Sequence, residues 1–171
     1  MDSQFWDFSL AIYARPGAAA ACLQCQDEAE ADVNLVLFLL WRAAAGYRLA
    51  ENEIASLDEQ VAPWRERIVK PLRAIRRELK FSNLDKSGAF RERIKAAELE
   101  AERIEQEALS CAVAREARPE RVYPPLVAAC ANLRAYAIVL GRPLPEVATD
   151  EILTVFALFV RADQSGAPIG G

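Results

Sequence analysis

The chain has 171 residues, of which 53% are hydrophobic and 27% charged, and its net charge is −4. This length and composition indicate one globular domain with its own core and exclude a disordered chain. The sequence contains no histidine, which excludes Ser-His-Asp and Cys-His catalysis and every usual zinc site other than one built from four cysteines.

Nothing in the sequence predicts a membrane segment. The first residues, MDSQFWDF, lack the positive region and the apolar run of a secretory signal. The most apolar runs, 35–41 and 152–160, are far shorter than the ~20 residues that a membrane-spanning helix requires. We therefore expect a cytoplasmic protein that does not associate with membranes.

Apolar residues recur with helical spacing along most of the chain, and no stretch alternates as a β-strand does. Residues 3–14 predict a first helix that is apolar nearly all round. Asp32 is the expected N-cap of a central core helix, 33–45, which stops at Gly46. The other predicted helical stretches are one that ends near 29, then 52–61, 64–80, 88–117, 124–140 and 151–162, the last capped by Asp150.

Two of these stretches, 64–80 and 88–117, are joined by a short turn and predict one long helical hairpin. Pro63 suits the first turn of the first helix, and Pro71 is expected to kink it. In the second helix, apolar residues spaced alternately by four and three predict a heptad seam whose alanine-rich centre allows close approach of a partner helix. The seam consists of Phe90, Ile94, Ala97, Ala101, Ile104, Ala108 and Cys111.

These patterns predict an all-α fold. We expect a single-domain bundle of six or seven helices with one long helical hairpin. The domain spans residues 1–163, and residues 164–171, which are small and polar, form a flexible tail.

Residues 73–95 carry eight positive and three negative side chains, a net +5 within an acidic chain. In an antiparallel hairpin Lys70 is expected opposite Glu98, which leaves the half near the turn without matching carboxylates. A positive end on an acidic body indicates an anionic partner, unless carboxylates of the body neutralise it or water alone solvates it. The predicted partner-binding residues are Arg73, Arg76, Arg77, Lys80, Arg91, Arg93 and Lys95.

We expect this basic tip to dock onto an acidic protein surface, so that the chain is a non-enzymatic interaction module. Nucleic acid is the less favoured partner, because only Phe81 and Phe90 near the tip offer rings on which bases could stack. The chain itself is expected to be a monomer or a homodimer, with the alanine seam as the interface of the dimer.

A second hypothesis places a small-molecule or metal site, with or without catalysis, near the first three helices. Asn34 and Arg42 bracket the apolar run of the core helix, and each requires a partner if it is buried. A closed, apolar-lined pocket with converging polar groups would favour this hypothesis. The candidate pocket residues are Tyr13, Gln26, Asp32, Asn34 and Trp41.

Three groups of residues resemble metal or redox sites, and a structural role is expected for each. Cys22 and Cys25 form a C-x-x-C, but no strand precedes it and the other two cysteines lack a short spacing, which favours buried, inert thiols. The acidic run 27–32 is expected to cap and solvate helix ends. Three glutamates between 98 and 105 share one helix face as in di-iron bundles, but without histidine an ion-paired surface is expected. We predict no metal and no cofactor.

The segments FWDFSLAIYARPG, ACLQCQDEAEADVNLVLFLLW and PWRERIVKPLRAIRREL together resemble a family of small bacterial proteins, chiefly proteobacterial, described as a domain of unknown function. The resemblance covers about residues 5–160 and is more specific in the N-terminal half than beyond residue 81. It implies a compact, helical, cytoplasmic protein. It implies no activity and no catalytic residue.

Overall fold

The structure, a computed structural model, describes residues 4–84, 87–113 and 122–164, and every regular element in these ranges is helical. Because α4, a π-helical turn and α5 follow one another without a break, the described residues form seven separate helices, which confirms the predicted all-α bundle. Within these ranges no helix is both long and apolar enough to cross a lipid bilayer. The elements are α1 (Gln4–Tyr13), α2 (Ala18–Ala29), α3 (Val33–Ala44), α4 (Glu51–Trp64), the π turn (Arg65–Val69), α5 (Lys70–Leu79), α6 (Ser87–Val113), α7 (Pro125–Leu140) and α8 (Glu146–Gln164).

Helix α3 is the centre of the bundle, as its sequence predicts. Its six consecutive apolar residues from Leu35 to Leu40 are all buried, because α1, α2, α6 and α7 pack around it. Phe5 of α1 stacks on Trp41 with ring centroids 5.3 Å apart and meets Phe38 edge-on at 5.4 Å. Trp41 is therefore part of the aromatic core between α1 and α3.

The predicted helix break near Pro63 is wrong. Pro63 lies inside α4, which continues to Trp64 and then passes into the π turn. The irregularity expected at Pro71 takes the form of this turn. A proline ring crowds the carbonyl four residues before it, here that of Arg67, which lies within the wider π-helical turn.

The buried face of α6 is not the predicted alanine seam. Ala101 is buried as expected, but Phe90, Ala97, Ile104 and Cys111 are exposed. The seam prediction fails because the inner face of α6 is largely polar, and its carboxylates bond to groups on other elements. The buried residues of α6 are Glu98, Ala101, Glu105, Gln106 and Leu109.

Helices α7 and α8 lie where the sequence predicts them, but one of their predicted boundaries is wrong. Helix α7 begins at Pro125 and ends at Gly141, which has φ 67°, a left-handed conformation that favours glycine. Helix α8 begins at Glu146, so Asp150 lies inside it and is not its N-cap. Residues 114–117 of the predicted long helix and residues 165–171 of the predicted tail lie outside the described ranges.

Candidate functional site

Asp32 is the centre of a buried polar network between α3, α6, α7 and the π turn. As predicted, it caps α3: its side chain accepts hydrogen bonds from the backbone N–H groups of Asn34 at 2.8 Å and Leu35 at 3.5 Å. Its own backbone N–H donates to the hydroxyl of Tyr136 at 2.9 Å. The cap is therefore held by a distant helix as well as by its own turn.

Arg65 of the π turn joins two carboxylates in this network. Its Nη1 lies 2.6 Å from Asp32 Oδ2 and 2.7 Å from Asp58 Oδ1. Burial alone would lower the pKa of Arg65, but the two carboxylates outweigh it and raise the pKa above its usual value. The guanidinium stays charged and fixes the start of α3 against α4.

Glu105 faces the same network with only 1% of its surface exposed. Asn34 Nδ2 donates to its Oε2 at 3.0 Å, and no donor among the described residues reaches its Oε1. Burial first, and then the nearby charge of Asp32, raise the pKa of Glu105 to about 9. At neutral pH Glu105 is therefore a neutral carboxylic acid.

A chain of amides leads from this carboxyl pair to the opposite side of α3. Gln106 Nε2 donates to Asn34 Oδ1 at 2.9 Å, so Asn34 links Gln106 to Glu105. On the far side, Gln106 Oε1 and the hydroxyl of Ser9 are buried without a hydrogen-bond partner among the described residues. A buried polar atom without a partner destabilises the fold by about 1–3 kcal/mol, which marks this place for a ligand or ordered water.

Two clefts open on either side of this chain of amides. The first, which we call the α1–α6 cleft, has a volume of about 330 Å³ and lies between α1 and α6 over α2 and α3. Its apolar walls come from four helices, α1, α2, α3 and α6, and Ser9 and Gln106 form part of its floor. The apolar lining residues are Trp6, Leu10, Leu23, Val33, Leu37 and Leu99.

The second, the α2–α5 cleft, has a volume of about 410 Å³ and lies beside the carboxyl pair. Asp32, Arg65 and Glu105 line it, together with charged residues of α2 and α5. The two clefts adjoin each other, because they share lining residues of α2, α3 and α5. The shared residues are Gln26, Val33, Asn34, Arg73 and Arg77.

Two of the arginines predicted at the basic tip are bonded inside the bundle. Arg73 donates to Glu98 at 3.1 Å, to Glu102 at 2.6 Å and to Gln26 at 2.5 Å. Arg76 forms an ion pair with Glu98. The hairpin register thus differs from the expected one, since Glu98 faces Arg73 and Arg76 instead of Lys70, which pairs with Glu66 at 2.6 Å. Carboxylates of the body neutralise this half of the basic stretch, which was the alternative that the sequence left open.

The other predicted tip residues remain at the surface. Arg77 and Lys95 have only long ion pairs, at 3.6 Å to Asp27 and at 3.9 Å to Glu92. Arg91 pairs with its neighbour Glu92 at 3.1 Å. These three cations still face water and retain donors for an anion.

The end of the hairpin is apolar as well as basic. Phe81 and Leu84 are each 78% exposed. The Lys80 ammonium lies 5.9 Å from the ring centroid of Phe81, and the Arg93 guanidinium lies 5.5 Å from that of Phe90. Exposed rings beside cations make a surface that an acidic, partly apolar segment would fit.

Four of the five predicted pocket residues line the clefts. Tyr13 lines the α1–α6 cleft, Asp32 lines the α2–α5 cleft, and Gln26 and Asn34 line both. Trp41 does not, because it is engaged in the aromatic core. The sequence did not single out Ser9, Gln106 or Tyr136, and only the spacing of Ser9 from Trp6 and Tyr13, three and four residues along α1, could have drawn attention to it.

The cysteines fall into two groups. Cys22 and Cys25 are buried, as predicted, and burial raises their thiol pKa values to about 12 and about 11. Cys111 is exposed and Cys130 half-buried, so the expectation of buried thiols is wrong for these two. Across the described ranges, His, Cys, Asp and Glu form no group of three or more that could hold a metal ion.

These observations define a class: an all-α bundle with two clefts divided by a buried polar chain, and with a basic hairpin tip. The chain belongs to the family described as "Protein of unknown function (DUF2390)", whose model matches residues 4–109. Every residue that lines either of the two clefts falls within this range. No curated protein and no solved structure shows significant similarity to the chain.

Proposed function

We propose that this protein binds a small molecule in the α1–α6 cleft. The observation that supports this proposal is the pairing, in one cleft, of apolar walls with two lining residues, Ser9 and Gln106, that each hold a buried polar atom without a partner among the described residues. The cleft volume of about 330 Å³ falls in the lower part of the range of ligand sites, which are mostly apolar with a few fixed polar groups. This arrangement favours the second of the two hypotheses drawn from the sequence.

The leucines of the cleft add weight to the proposal. Leu10, Leu23 and Leu99 come from three different helices, and each is about half exposed. Apolar side chains that converge from separate elements and stay exposed are typical of a site that a ligand covers. The four cysteines carry no disulfide, which supports a reducing compartment, and a cytoplasmic location is therefore part of the proposal.

Ligand-observed NMR with a library of acidic, neutral and basic fragments tests the proposal. Leu99→Trp fills the cleft, whereas Leu158→Trp places the same ring at an equally exposed leucine of α8 that lines neither cleft (50% and 58% exposed, respectively). Fragments that bind in the cleft should lose their signal with Leu99→Trp and keep it with Leu158→Trp. If no fragment binds, or if both variants bind alike, the proposal is wrong.

A second candidate function is the docking of the hairpin tip onto an acidic protein segment. It is supported by the exposure of Phe81 and Leu84 beside Lys80. The candidate contacts are Arg77, Lys80, Arg91, Arg93 and Lys95, since Arg73 and Arg76 already hold carboxylates of the body. An acidic partner with apolar side chains would satisfy both the charge and the rings.

Fluorescence polarisation with labelled acidic peptides that contain leucine or phenylalanine tests this second function. Arg93→Glu should abolish binding, and Arg134→Glu, which reverses an exposed charge on α7, should not. Binding should also weaken with added salt, because the charges are exposed. Equal binding by both variants, or a preference for a labelled single-stranded oligonucleotide, would overturn an acidic protein partner.

A further inference from the structure

The α1–α6 cleft has an excess of positive charge at its outer end. Four cations, those of Arg73, Arg76, Arg77 and Lys95, line it against two carboxylates, those of Glu98 and Glu102. Arg73 and Arg76 already form ion pairs with these carboxylates. The remaining positive charge of the cleft thus belongs to the other two cations, one from α5 and one from α6.

Arg77 and Lys95 are free to bind an anion at this outer end. Their side chains are 54% and 64% exposed, and the carboxylates nearest to them lie at 3.6 Å and 3.9 Å. Such long contacts between exposed groups contribute little and are readily exchanged for a better partner. Because Asp27 and Glu92 still offset part of the charge, the outer end suits a single negative charge better than a doubly charged phosphate ester.

The rest of the cleft suits an apolar body. Beyond the cations, the walls consist of Trp6, Leu10, Leu23 and Leu99. The polar atoms of the floor, Ser9 Oγ and Gln106 Oε1, are neutral. The other charged side chains of the cleft already pair with one another, so they offer no free charge to a second charged group on the ligand. The inner part of the ligand should therefore be uncharged.

We propose that the ligand of the α1–α6 cleft is an apolar monocarboxylate, held with its carboxylate between Arg77 and Lys95 and its apolar body against Trp6 and the leucines. This inference rests on the proposed small-molecule function and names the class of ligand. It assigns to two residues of the basic stretch a role in recognising a small acid inside the bundle, separate from any role of the tip.

Three probes that share one phenylpropyl skeleton test the ligand class. Isothermal titration compares phenylpropionate, the alcohol phenylpropanol and the amine phenylpropylamine with the full chain. The acid should bind roughly tenfold more tightly than the alcohol, because a charge-assisted hydrogen bond forms only with the acid. The amine should bind more weakly than the alcohol, because cations line the entrance.

Lys95→Gln and Lys80→Gln provide a matched pair of variants, because each removes one lysine charge from the hairpin and only Lys95 lines the cleft. Lys95→Gln should weaken binding of the acid about five- to tenfold and leave the alcohol unchanged. Lys80→Gln should change neither.

The outcomes separate the two proposals. If library fragments bind in the cleft but the acid has no advantage over the alcohol or the amine, the monocarboxylate is wrong and the proposed function stands. If no probe and no fragment binds, both fail. If Lys80→Gln weakens binding of the acid as much as Lys95→Gln does, the acid is held by general electrostatic attraction and not by a contact with Lys95. The inference is then wrong.

Discussion

Asn34 Nδ2 donates a hydrogen bond to Glu105 Oε2 at 3.0 Å across the contact between α3 and α6, where Glu105 is only 1% exposed. The single positive charge of Arg65 is already shared between Asp32 and Asp58, so ionisation of Glu105 would add a negative charge that this arginine cannot fully offset. The proton of Glu105 is therefore a structural component of the fold. Several measurable consequences arise from this network and from the groups around it.

Glu105→Gln should stabilise the protein at neutral pH. The pKa of Glu105 is about 9 in the folded protein and near 4.3 in an unfolded chain. Between these values the folded state binds more protons than the unfolded state, so this carboxyl makes the free energy of unfolding fall as the pH rises. Glutamine keeps the acceptor for Asn34 and has no proton to lose. Its free energy of unfolding should exceed that of the wild type by about 1–3 kcal/mol at pH 7.

Urea denaturation at several pH values checks this prediction. The advantage of Glu105→Gln should vanish near pH 4, where the carboxyl is protonated in both states, and grow towards pH 9. Glu100→Gln, an exposed change on the same helix, is the control and should follow the wild type. Parallel curves for wild type and Glu105→Gln would show that the carboxyl is not protonated in the fold.

Asp32→Ala should be strongly destabilising. The change removes the cap of α3 and leaves the half-buried Arg65 with Asp58 and, at 3.6 Å, the exposed Glu66. A loss of about 2–4 kcal/mol is expected from the cap and the broken ion pair together. Glu28→Ala, in the same acidic run but exposed, should change the free energy of unfolding by less than about 0.5 kcal/mol. Thermal and urea unfolding of the two variants provides the comparison, and a similar loss in both would contradict the role assigned to Asp32.

Tyr136→Phe tests the link between α7 and the start of α3. The hydroxyl of Tyr136 accepts the backbone N–H of Asp32, and both groups are buried. Without it that N–H has no partner, and the free energy of unfolding should fall by about 1–3 kcal/mol. Hydrogen exchange at Asp32 should accelerate by more than exchange elsewhere in α3. Unchanged protection at that amide would mean that another group satisfies it.

A comparison of Arg73→Ala with Arg93→Ala shows which arginines of the basic stretch stabilise the fold and which only lie at its surface. Arg73 holds Glu98, Glu102 and Gln26, and its loss should cost about 2–4 kcal/mol, since Glu102 loses its ion pair and Glu98 keeps only Arg76. Arg93 contacts only a partly exposed ring among the described groups, and its loss should cost less than about 0.5 kcal/mol. Equal losses in urea unfolding would place Arg93 in the same network or remove Arg73 from it.

The cysteines should react in a fixed order with a chromogenic disulfide reagent. Cys111 is exposed and should react first, followed by the half-buried Cys130. Cys22 and Cys25 should react only on unfolding, because burial both blocks access and raises their pKa values to about 12 and about 11. Cys111→Ser should remove the fast phase. Rapid modification of Cys22 or Cys25 in the native protein would show that the N-terminal bundle opens.

The sequence predicts the helical class and the central place of α3, because the apolar run from 35 to 41 lies between a capping residue, Asp32, and a stopping glycine, Gly46, at the spacing of a helix. It also predicts Asp32 as a cap, since capping depends on residues a few positions apart. It does not predict the inner face of α6. Glu105 and Gln106 are polar residues that are buried only because Asn34 and Asp32 come close to them in three dimensions, and no local pattern reports such a contact.

Contacts between residues far apart in the sequence also determine which side chains of the basic stretch stay exposed. Its charge excess was visible from the sequence, but the register that brings Arg73 to Glu98 depends on the π turn, and Pro71 predicted only a kink there without its effect on the register. The candidate cleft was partly predicted, since Asn34 was singled out as a polar residue beside an apolar run. Trp41 lies on the same helix as Asn34 but packs into the aromatic core. The sequence alone does not show which of the two residues faces the cleft.

The π turn between α4 and α5 amounts to one extra residue in a helix that otherwise runs from Glu51 to Leu79. A π turn takes up this extra residue within a single turn, so the parts of the helix on either side keep nearly the orientation that they would have in an α-helix one residue shorter. Deletion of a single residue within 65–69 should therefore convert the turn to α-helix and leave Arg73 and Arg76 facing Glu98. Among homologous chains, a one-residue gap at this position is thus compatible with the same ion pairs and the same cleft.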